Sequence, residues 1–342
     1  MINKKRLSSL GSCCIIFLIG FMLVAVFSTQ AIAEEKYNFR MQTLHSAPLF
    51  MKHNAIFVEK VRTATGGRIN IEMFPSGSLV PTQEMAQAVG EGTLDMAFTY
   101  GGYHSGLIDV GNIESGLPMA WGNADEVFNF HFVYGFQDIA REAYDEIGVY
   151  WMTPVFEEPF LLISKKPVTS IEEMKNIKIR CTAPNAAILS QFGISTIYLP
   201  SEEFYTSMAT GVIDAIIYGG EDAYAGLKLY EQAKYITDPK ILRPMTSAII
   251  INKKKWNSLP KDLQEALFIT TREHYIVHWY KFRIDANREA AKYFEHKMFK
   301  EEDVKKLTTA AQKVWDKEAA KSPRCKKAID LLKQLAKDTG RL

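Results

Sequence analysis

Arg180 is the residue in this sequence whose type and position most strongly suggest ligand chemistry. It lies near the end of residues 177–181 (IKIRC), where apolar and charged side chains alternate as they do in a β-strand. A guanidinium in a cleft is a natural partner for a carboxylate, because it can donate two parallel hydrogen bonds. The alternative is a surface arginine in an ordinary salt bridge. We take Arg180 as the first candidate for binding an acidic ligand.

Aromatic and acidic side chains are candidates for the rest of such a site. Tyrosine and phenylalanine would cover the apolar part of a ligand and offer hydroxyl groups, although the same residues are also common packing groups. Glu157 and Glu158 are neighbours on a predicted strand, so at most one of them faces the cleft. Besides Arg180, the predicted ligand-binding residues are His45, Tyr100, Tyr103, Glu157, Phe160, Tyr218 and Glu221.

The adjacent carboxylates Glu221 and Asp222 leave three interpretations open. They could lie in solvent, pair with Arg180, or bind a hard cation beside a ligand carboxylate. His274 and His278 have the spacing of a metal pair on a helix, but no third ligand follows at a recognisable distance. We therefore predict no cofactor, and we name Glu221 and Asp222 as candidates should a Ca²⁺ or Na⁺ ion accompany the ligand.

The elements that must position Arg180 follow it directly in the chain. A parallel, doubly wound sheet is expected from their βαβαβ order, and ligands bind at the carboxyl ends of the strands in such sheets. Ser201 is expected to cap the second helix, whose first turn is acidic. After the strand at 177–181, the predicted elements are a helix at 183–192, a strand at 195–199, a helix that begins at 200–203 and ends at Gly211, and a strand at 212–218.

Residues 81–98 repeat the pattern of residues 200–217 without a gap. Both segments have a proline, a hydroxyl residue, a glutamate, a glycine and an aspartate at matching positions, and both continue into Tyr-Gly-Gly. Any capped helix that leads into a strand would produce part of this likeness. The fuller likeness favours two α/β lobes of similar build, with a ligand in the cleft between their facing strand ends.

Residues 261–299 are predicted to form one helix, because the chain has neither glycine nor proline between Pro260 and Pro323. At 1.5 Å per residue this helix would be about 58 Å long, so we expect it to cross both lobes. The predicted first lobe comprises residues 34–155 and 243–342, with the spanning and C-terminal helices. Residues 156–242 are the predicted second lobe.

Residues 1–33 have the three parts of a secretory signal peptide: basic residues, an apolar run and a small-residue cleavage site. Its removal takes three of the 41 Lys and Arg residues and none of the 39 Asp and Glu residues, which leaves a net charge of −1. This charge, together with the lack of a basic patch interleaved with aromatics, argues against nucleic acid as a partner. We therefore expect a periplasmic protein.

The chain from about residue 37 to 300 resembles the periplasmic solute-binding proteins of tripartite ATP-independent periplasmic (TRAP) transporters, the DctP-like family. The likeness is strongest in residues 165–180 (KKPVTSIEEMKNIKIR), 199–215 (LPSEEFYTSMATGVIDA), 226–237 (GLKLYEQAKYIT) and 250–264 (IINKKKWNSLPKDLQ). Residues 75–98 are similarly typical. Together these segments are specific to the family.

The resemblance implies an α/β, two-lobed periplasmic binding protein of type II-like fold, with a long helix across both lobes. It implies an organic acid as ligand, the small and large membrane subunits of a TRAP permease as partners, and no enzymatic activity. In this family the arginine of a Lys-x-Arg motif pairs with the ligand carboxylate, and here that residue is Arg180. Residues 214–218 (DAIIY) lack the glutamate of metal-binding members, and no second arginine stands near Phe160 as it does in sialate binders. An apolar or aromatic carboxylate therefore fits best.

Two other functions are compatible with the sequence. An extracytoplasmic module that senses a carboxylate would bind its ligand in the same way, and neighbouring genes for membrane subunits would distinguish it. A secreted α/β hydrolase is the second alternative, but the chain lacks a Gly-x-Ser-x-Gly nucleophile motif. Oligomeric state and a pairing of Cys181 with Cys325 are left open by the sequence.

Overall fold

The computed structural model describes residues 35–157, 159–242 and 245–342, and Tyr37–Leu342 form one compact unit. The predicted signal peptide lies outside the described residues. In chain order the strands are β1 (Tyr37–Thr43), β2 (Ile69–Phe74), β3 (Met96–Thr99), β4 (Val149–Glu157), β5 (Phe160–Ser164), β6 (Ile179–Arg180), β7 (Thr196–Ile197), β8 (Ala215–Ile217), β9 (Tyr235–Leu242), β10 (Met245–Asn252) and β11 (Glu295–Met298).

These strands form two sheets, and each sheet is the centre of one lobe. The spatial order is β2-β1-β3-β10-β4 in the first sheet and β11-β9-β5-β8-β6-β7 in the second. β6 pairs in parallel with both β7 and β8, which is the arrangement predicted around Arg180. The α-helices that cover the sheets are α1 (Pro48–Ala64), α2 (Met85–Glu91), α3 (Gly111–Glu114), α4 (Ala124–Phe128), α5 (Phe136–Asp145), α6 (Ile171–Met174), α7 (Ala183–Leu189), α8 (Phe204–Ala209), α9 (Glu221–Gly226), α10 (Lys253–Ser258), α11 (Lys261–Arg272), α12 (Trp279–Ala290), α13 (Glu301–Ala319) and α14 (Pro323–Asp338).

Two pairs of antiparallel strands connect the sheets: β4 pairs with β10 in the first sheet, and β5 pairs with β9 in the second. β4 ends at Glu157, which lies opposite Met245 at the start of β10. β5 begins at Phe160, which lies opposite Leu242 at the end of β9. The four strands therefore make a two-stranded ribbon that passes from the first sheet into the second. β4 and β10 are the first-sheet half of this ribbon.

The two repeated segments have the same structure in both lobes. In each, a 3₁₀ turn (Thr82–Glu84 or Ser201–Glu203) leads into a short helix, α2 or α8, and then into strand β3 or β8. Gly92 and Gly211 end the two helices with φ of 85° and 78°, in the left-handed region where glycine is favoured. The expected cap is wrong, because Ser201 is the first residue of its turn and Pro200 occupies the cap position.

The long helix crosses both lobes as predicted but is shorter than residues 261–299. It consists of α11, a π-helical segment (Glu273–His278), α12 and a last 3₁₀ turn (Ala291–Tyr293). Phe294 then adopts extended backbone, and β11 pairs in parallel with β9. We call residues 261–293 the spanning helix. The strand that follows the spanning helix, β11, belongs to the second sheet, although residues 295–298 fall in the segment predicted for the first lobe.

The spanning helix packs against the first lobe and then against the second. The rings of Tyr275 and Trp279 each lie 5.1 Å from the ring of Phe98 in β3. Two to three turns later, Asn287 accepts a hydrogen bond of 3.1 Å from the backbone N–H of Asp222 in α9. The helix is therefore a continuous support beneath the boundary between the lobes.

Candidate ligand-binding site

A cavity of about 30 Å³ lies between the two sheets. This volume has room for one or two water molecules. Its wall is built by the residues that follow β1, β3 and β8, by the middle of the ribbon, and by the spanning helix. The lining residues are Leu44, His45, Tyr100, Tyr103, Glu157, Phe160, Tyr218, Gly219, Ala223, Met245 and Arg283. Six predicted site residues thus meet in one place: His45, Tyr100, Tyr103, Glu157, Phe160 and Tyr218.

The repeat supplies one tyrosine to this cavity from each lobe. Tyr100 directly follows β3 and Tyr218 directly follows β8, and each begins the Tyr-Gly-Gly sequence after its repeated segment. The ring of Tyr218 is stacked on Phe160 at 6.4 Å, and Tyr100 lies 5.1 Å from Tyr103. Burial raises the pKa of Tyr103 to about 12, although the charge of Arg180 acts in the opposite direction. These tyrosine hydroxyls are therefore neutral hydrogen-bond donors.

Arg180 lies behind the cavity wall, in contact with its aromatic residues. The side chain is fully buried. Its Nε donates to the carbonyl of Leu199 at 2.9 Å and its Nη1 to the carbonyl of Ile217 at 3.4 Å. Both carbonyls are just past or at the carboxyl ends of β7 and β8, so Arg180 occupies the predicted edge of the sheet.

Three aromatic rings surround the guanidinium of Arg180, but no carboxylate does so among the residues that the structure describes. The carbon Cζ lies 4.6, 5.1 and 5.4 Å from the ring centres of Phe204, Tyr198 and Tyr218. Within the described ranges, Nη2 is buried and has no hydrogen-bond partner. A buried cation without an anion is costly, and a buried donor without a partner calls for an explanation. The arrangement is suited to an anion that reaches Nη2.

Arg283 is a site residue that the sequence analysis missed. Its Nη2 donates to Asp222 Oδ1 at 3.0 Å, its Nε to Asp222 Oδ2, and its Nη1 to Glu157 Oε2. Burial lowers the pKa of Arg283 to about 9, so the guanidinium is still charged at neutral pH. The signal lay in the helix pattern, because Tyr275, Trp279, Arg283 and Asn287 follow one another at intervals of four on the buried face.

Glu157 is held at one of its two oxygens. Besides Arg283, Trp279 Nε1 faces Oε2 at 3.5 Å. The other oxygen, Oε1, is buried and accepts no hydrogen bond from any described residue. Since Glu157 also lines the cavity, this oxygen is an acceptor with capacity left for a donor.

His45 offers a neutral ring to the cavity. Burial, and then the charge of Arg283, lower the pKa of His45 well below its usual range. Its Nδ1 lies 3.2 Å from Thr43 Oγ1, and its ring lies 5.3 Å from that of Trp279. The imidazole therefore adds shape and a polar edge to the site, but no charge.

Glu221 and Asp222 are not brought into the cavity wall. Glu221 Oε1 lies 3.7 Å from His296 Nε2 in β11, and both oxygens of Asp222 accept from Arg283. Asp222 therefore pairs with an arginine, but with Arg283 in place of Arg180. A cation here would have to displace that guanidinium, and in the described part of the chain no three His, Cys, Asp or Glu residues are grouped as a metal site. The pair does not fit a metal.

Hydrogen bonds join the two lobes at the exposed edge of the cleft. Ser76 Oγ donates to Glu202 Oε1 at 2.7 Å, and Gln83 Nε2 donates to Tyr198 Oη at 2.6 Å. Each bond connects a residue in or beside the first repeated segment with one in or beside the second. We call these four residues the edge contacts. One of them, Tyr198, also contacts the cavity residue Tyr103, with ring centres 6.4 Å apart.

Comparisons with known proteins identify the family of the chain. The model of the family described as Bacterial extracellular solute-binding protein, family 7 (DctP) matches residues 43–322. A monocarboxylate 2-oxoacid-binding periplasmic protein of Nostoc sp. is 26% identical over 218 residues, which are 63% of this chain and 59% of that protein. A 2,3-diketo-L-gulonate-binding periplasmic protein of Escherichia coli is 25% identical over 258 residues, 73% and 76% of the two chains.

The fold has close counterparts among solved structures. A TRAP periplasmic solute binding protein from Chromohalobacter salexigens, solved with bound (S)-(+)-2-amino-1-propanol, matches with a TM-score of 0.82 at 23% identity. The match covers 89% of this chain and 96% of that one. The predicted two-lobed α/β fold is thereby confirmed. Because the family model matches most of the chain, the protein belongs to bacterial extracellular solute-binding protein family 7, the family of TRAP binding proteins that its sequence motifs suggested.

Proposed function

We propose that this protein binds an organic acid between its lobes in the periplasm and delivers it to the small and large membrane subunits of a TRAP permease. It acts by binding and release, without enzymatic turnover and without a cofactor. The carboxylate of the ligand pairs with Arg180, and the aromatic residues of the cavity cover the rest of the molecule.

The observation that carries this proposal is the environment of Arg180. The guanidinium is fully buried, and two of its three nitrogens donate to backbone carbonyls. Nη2 remains as a charged donor without a partner in the described residues. A ligand carboxylate would supply both the missing hydrogen bond and the missing negative charge.

The relatives support the same class of ligand. Both relatives named above are binding proteins whose ligands, a monocarboxylic 2-oxoacid and 2,3-diketo-L-gulonate, carry a carboxylate. Periplasmic location is supported by the periplasmic description of these relatives and by the signal-peptide pattern of residues 1–33. In the described part of the chain, no helix has the length and apolarity to cross a membrane.

The test is a thermal-shift screen of the protein from Glu34 onwards against aliphatic and aromatic carboxylates, each with Ca²⁺ and with a chelator. A ligand that binds the folded state raises the melting temperature by mass action. We expect a shift with at least one acid, and we expect the chelator to leave it unchanged. A shift in melting temperature that disappeared with the chelator would indicate that a metal ion takes part in ligand binding.

Arg180→Ala tests the role of the arginine directly. Removing one partner of a buried ion pair costs about 3–5 kcal/mol, so affinity for the acid should fall by at least about 100-fold. Lys178→Ala is the matched control, because Lys178 is a cation two residues earlier on the same strand and is exposed. Equal affinities of the two variants for the acid would refute the assignment.

A further inference from the structure

The site holds two buried polar atoms of opposite kind that have no partner among the described residues. Arg180 Nη2 is a charged donor and Glu157 Oε1 is a charged acceptor. Buried polar groups in native proteins are almost always hydrogen-bonded. An acid that satisfied Arg180 alone would leave Glu157 Oε1 without a donor in the cavity wall.

The two atoms belong to opposite sides of the site. Arg180 extends from the second sheet and lies behind the cavity residue Tyr218, whose ring centre is 5.4 Å from its Cζ. Glu157 ends β4 in the first sheet and is fixed from behind by Arg283 and Trp279. The stacked rings of Phe160 and Tyr218 line the same cavity as Glu157. A single small molecule can therefore address both atoms only with two different polar groups.

The charges of the site indicate which groups these are. Glu157 and Asp222 both pair with Arg283, so this cluster carries one negative charge more than it has positive charges. Arg180 has no carboxylate beside it among the described residues, and its positive charge brings the sum for the whole site to zero, while His45 is neutral. A simple carboxylate would leave this buried site with one excess negative charge. A ligand with a carboxylate and a protonated nitrogen would leave it neutral, and the nitrogen would also supply the donor for Glu157 Oε1.

Resting on the carboxylate capture proposed above, we infer that the ligand is a zwitterion. Its carboxylate binds Arg180 and its ammonium group donates to Glu157, as in an amino acid or another ammonium carboxylate. A hydroxyl group can donate to Glu157 but leaves the charge uncompensated, so hydroxy acids bind second best. Dicarboxylates are disfavoured, because their second carboxylate meets the carboxylate of Glu157.

The experiment compares acids that differ in one group. The probes are butanoate, its 2-, 3- and 4-hydroxy and 2-, 3- and 4-amino derivatives, and succinate, together with 3-phenylpropanoate, phenyllactate and phenylalanine. Dissociation constants are measured by calorimetry with the wild-type protein. At least one amino derivative should bind about 10- to 100-fold more tightly than its parent acid, the gain expected of a hydrogen bond to a charged group.

Two variants assign the preference to Glu157. Glu157→Gln keeps the shape but removes the charge, and it should reduce the ratio of the affinities for the amino derivative and for its parent acid by about 10-fold or more. Asp222→Asn is the matched control, because it removes a carboxylate from the same guanidinium outside the cavity wall. It should keep the preference for the amino derivative.

The outcomes separate this inference from the proposed function. Parent acids that bind as tightly as every amino derivative would overturn the zwitterion and leave carboxylate capture intact. Failure of all the probes to bind would count against both. If Glu157→Gln does not fold, the dissociation constants of the acid series with the wild-type protein still test the inference.

Discussion

Buried charged side chains in this protein are stabilised in different ways, and each has a measurable consequence. Arg283 is neutralised by two carboxylates, whereas Arg180 is surrounded by aromatic rings and backbone carbonyls. Glu114 is a third case, because its two oxygens accept from Tyr144 Oη and Trp151 Nε1, both at 2.8 Å, and no cation among the described residues pairs with it. Burial raises the pKa of Glu114 to about 7, while these hydrogen bonds oppose the shift.

Glu114 should make the stability of the protein fall as the pH rises. Because its folded pKa of about 7 exceeds the ordinary value of 4.5, the folded state holds the proton more tightly. Its contribution is complete below pH 4.5 and is lost as the pH rises to 7. The unfolding free energy of wild type relative to Glu114→Gln should decrease by about 3 kcal/mol from pH 4.5 to pH 8, at 1.36 kcal/mol per pKa unit.

Urea unfolding of both proteins across this pH range measures the effect. The exposed Glu203→Gln is the control for the loss of one carboxyl group. If the unfolding free energies of wild type and Glu114→Gln changed with pH in the same way, the folded pKa of Glu114 would not be raised.

A sequence reveals a site residue when its neighbours in the chain form a recognisable motif. Arg180 was identified because it ends a strand in a recognisable motif, and the Tyr-Gly-Gly pairs pointed to Tyr100 and Tyr218. Arg283 was overlooked because a single arginine in a long helix is ordinarily solvated. Its partners Glu157 and Asp222 lie in distant parts of the chain, and only the fold brings the three together.

At the scale of elements, the two repeated segments form the same short series of secondary-structure elements in both lobes. The helix, the left-handed glycine and the strand recur in order, and in each copy an aspartate before the strand accepts from a neighbouring strand. Asp95 Oδ2 accepts from the backbone N–H of Arg40 at 2.7 Å, and Asp214 Oδ2 accepts from that of Lys178 at 3.0 Å. The helix, the glycine and the strand are local features and could be predicted from the sequence, whereas these two aspartate bonds join residues 55 and 36 positions apart and depend on the fold.

Other elements could not be predicted because tertiary pairing decides them. β11 and β9 were missed, since residues 295–298 continue a helix-compatible sequence and become a strand through pairing with β9. The end of the spanning helix was misplaced for the same reason. A local pattern indicates where a helix can continue, whereas a neighbouring sheet edge determines where it stops.

Gly211→Ala should destabilise the protein by about 1–2 kcal/mol, the cost of a left-handed backbone for an L residue. A Cβ at Gly211 would meet no atom within 4 Å, so backbone strain is the whole effect. Gly106→Ala is the matched control, because its surroundings are equally open and its φ is outside the left-handed region. Urea unfolding that gave both variants the same stability would contradict this account.

For the whole molecule, the closed arrangement of the lobes depends in part on the edge contacts. These bonds lie in exposed positions, so each contributes about 1 kcal/mol. Their loss should favour opening, which releases the ligand, and should affect its entry little.

Glu202→Ala should raise the dissociation rate of the acid found in the screen by about fivefold, the factor that corresponds to 1 kcal/mol. Stopped-flow measurements of association and dissociation provide the test. Glu203→Ala is the control, as its neighbour on the same exposed turn. A dissociation rate that is the same in both variants would exclude a role for the bond between Ser76 and Glu202.

The two-stranded ribbon has a mechanical consequence for the order of events at the site. The lobes are connected by two hydrogen-bonded strands and by the spanning helix, so we expect them to move by rotation about this connection, with displacements that grow with distance from it. Glu157 is at the ribbon and Arg283 is in the helix, so both lie close to the pivot and hardly move. The edge contacts join the lobes through residues outside the ribbon and the helix, so we expect them to separate when the lobes open. We therefore expect the proposed acceptor for the ammonium group to be preformed, and the proposed carboxylate site at Arg180 to be completed as the lobes close.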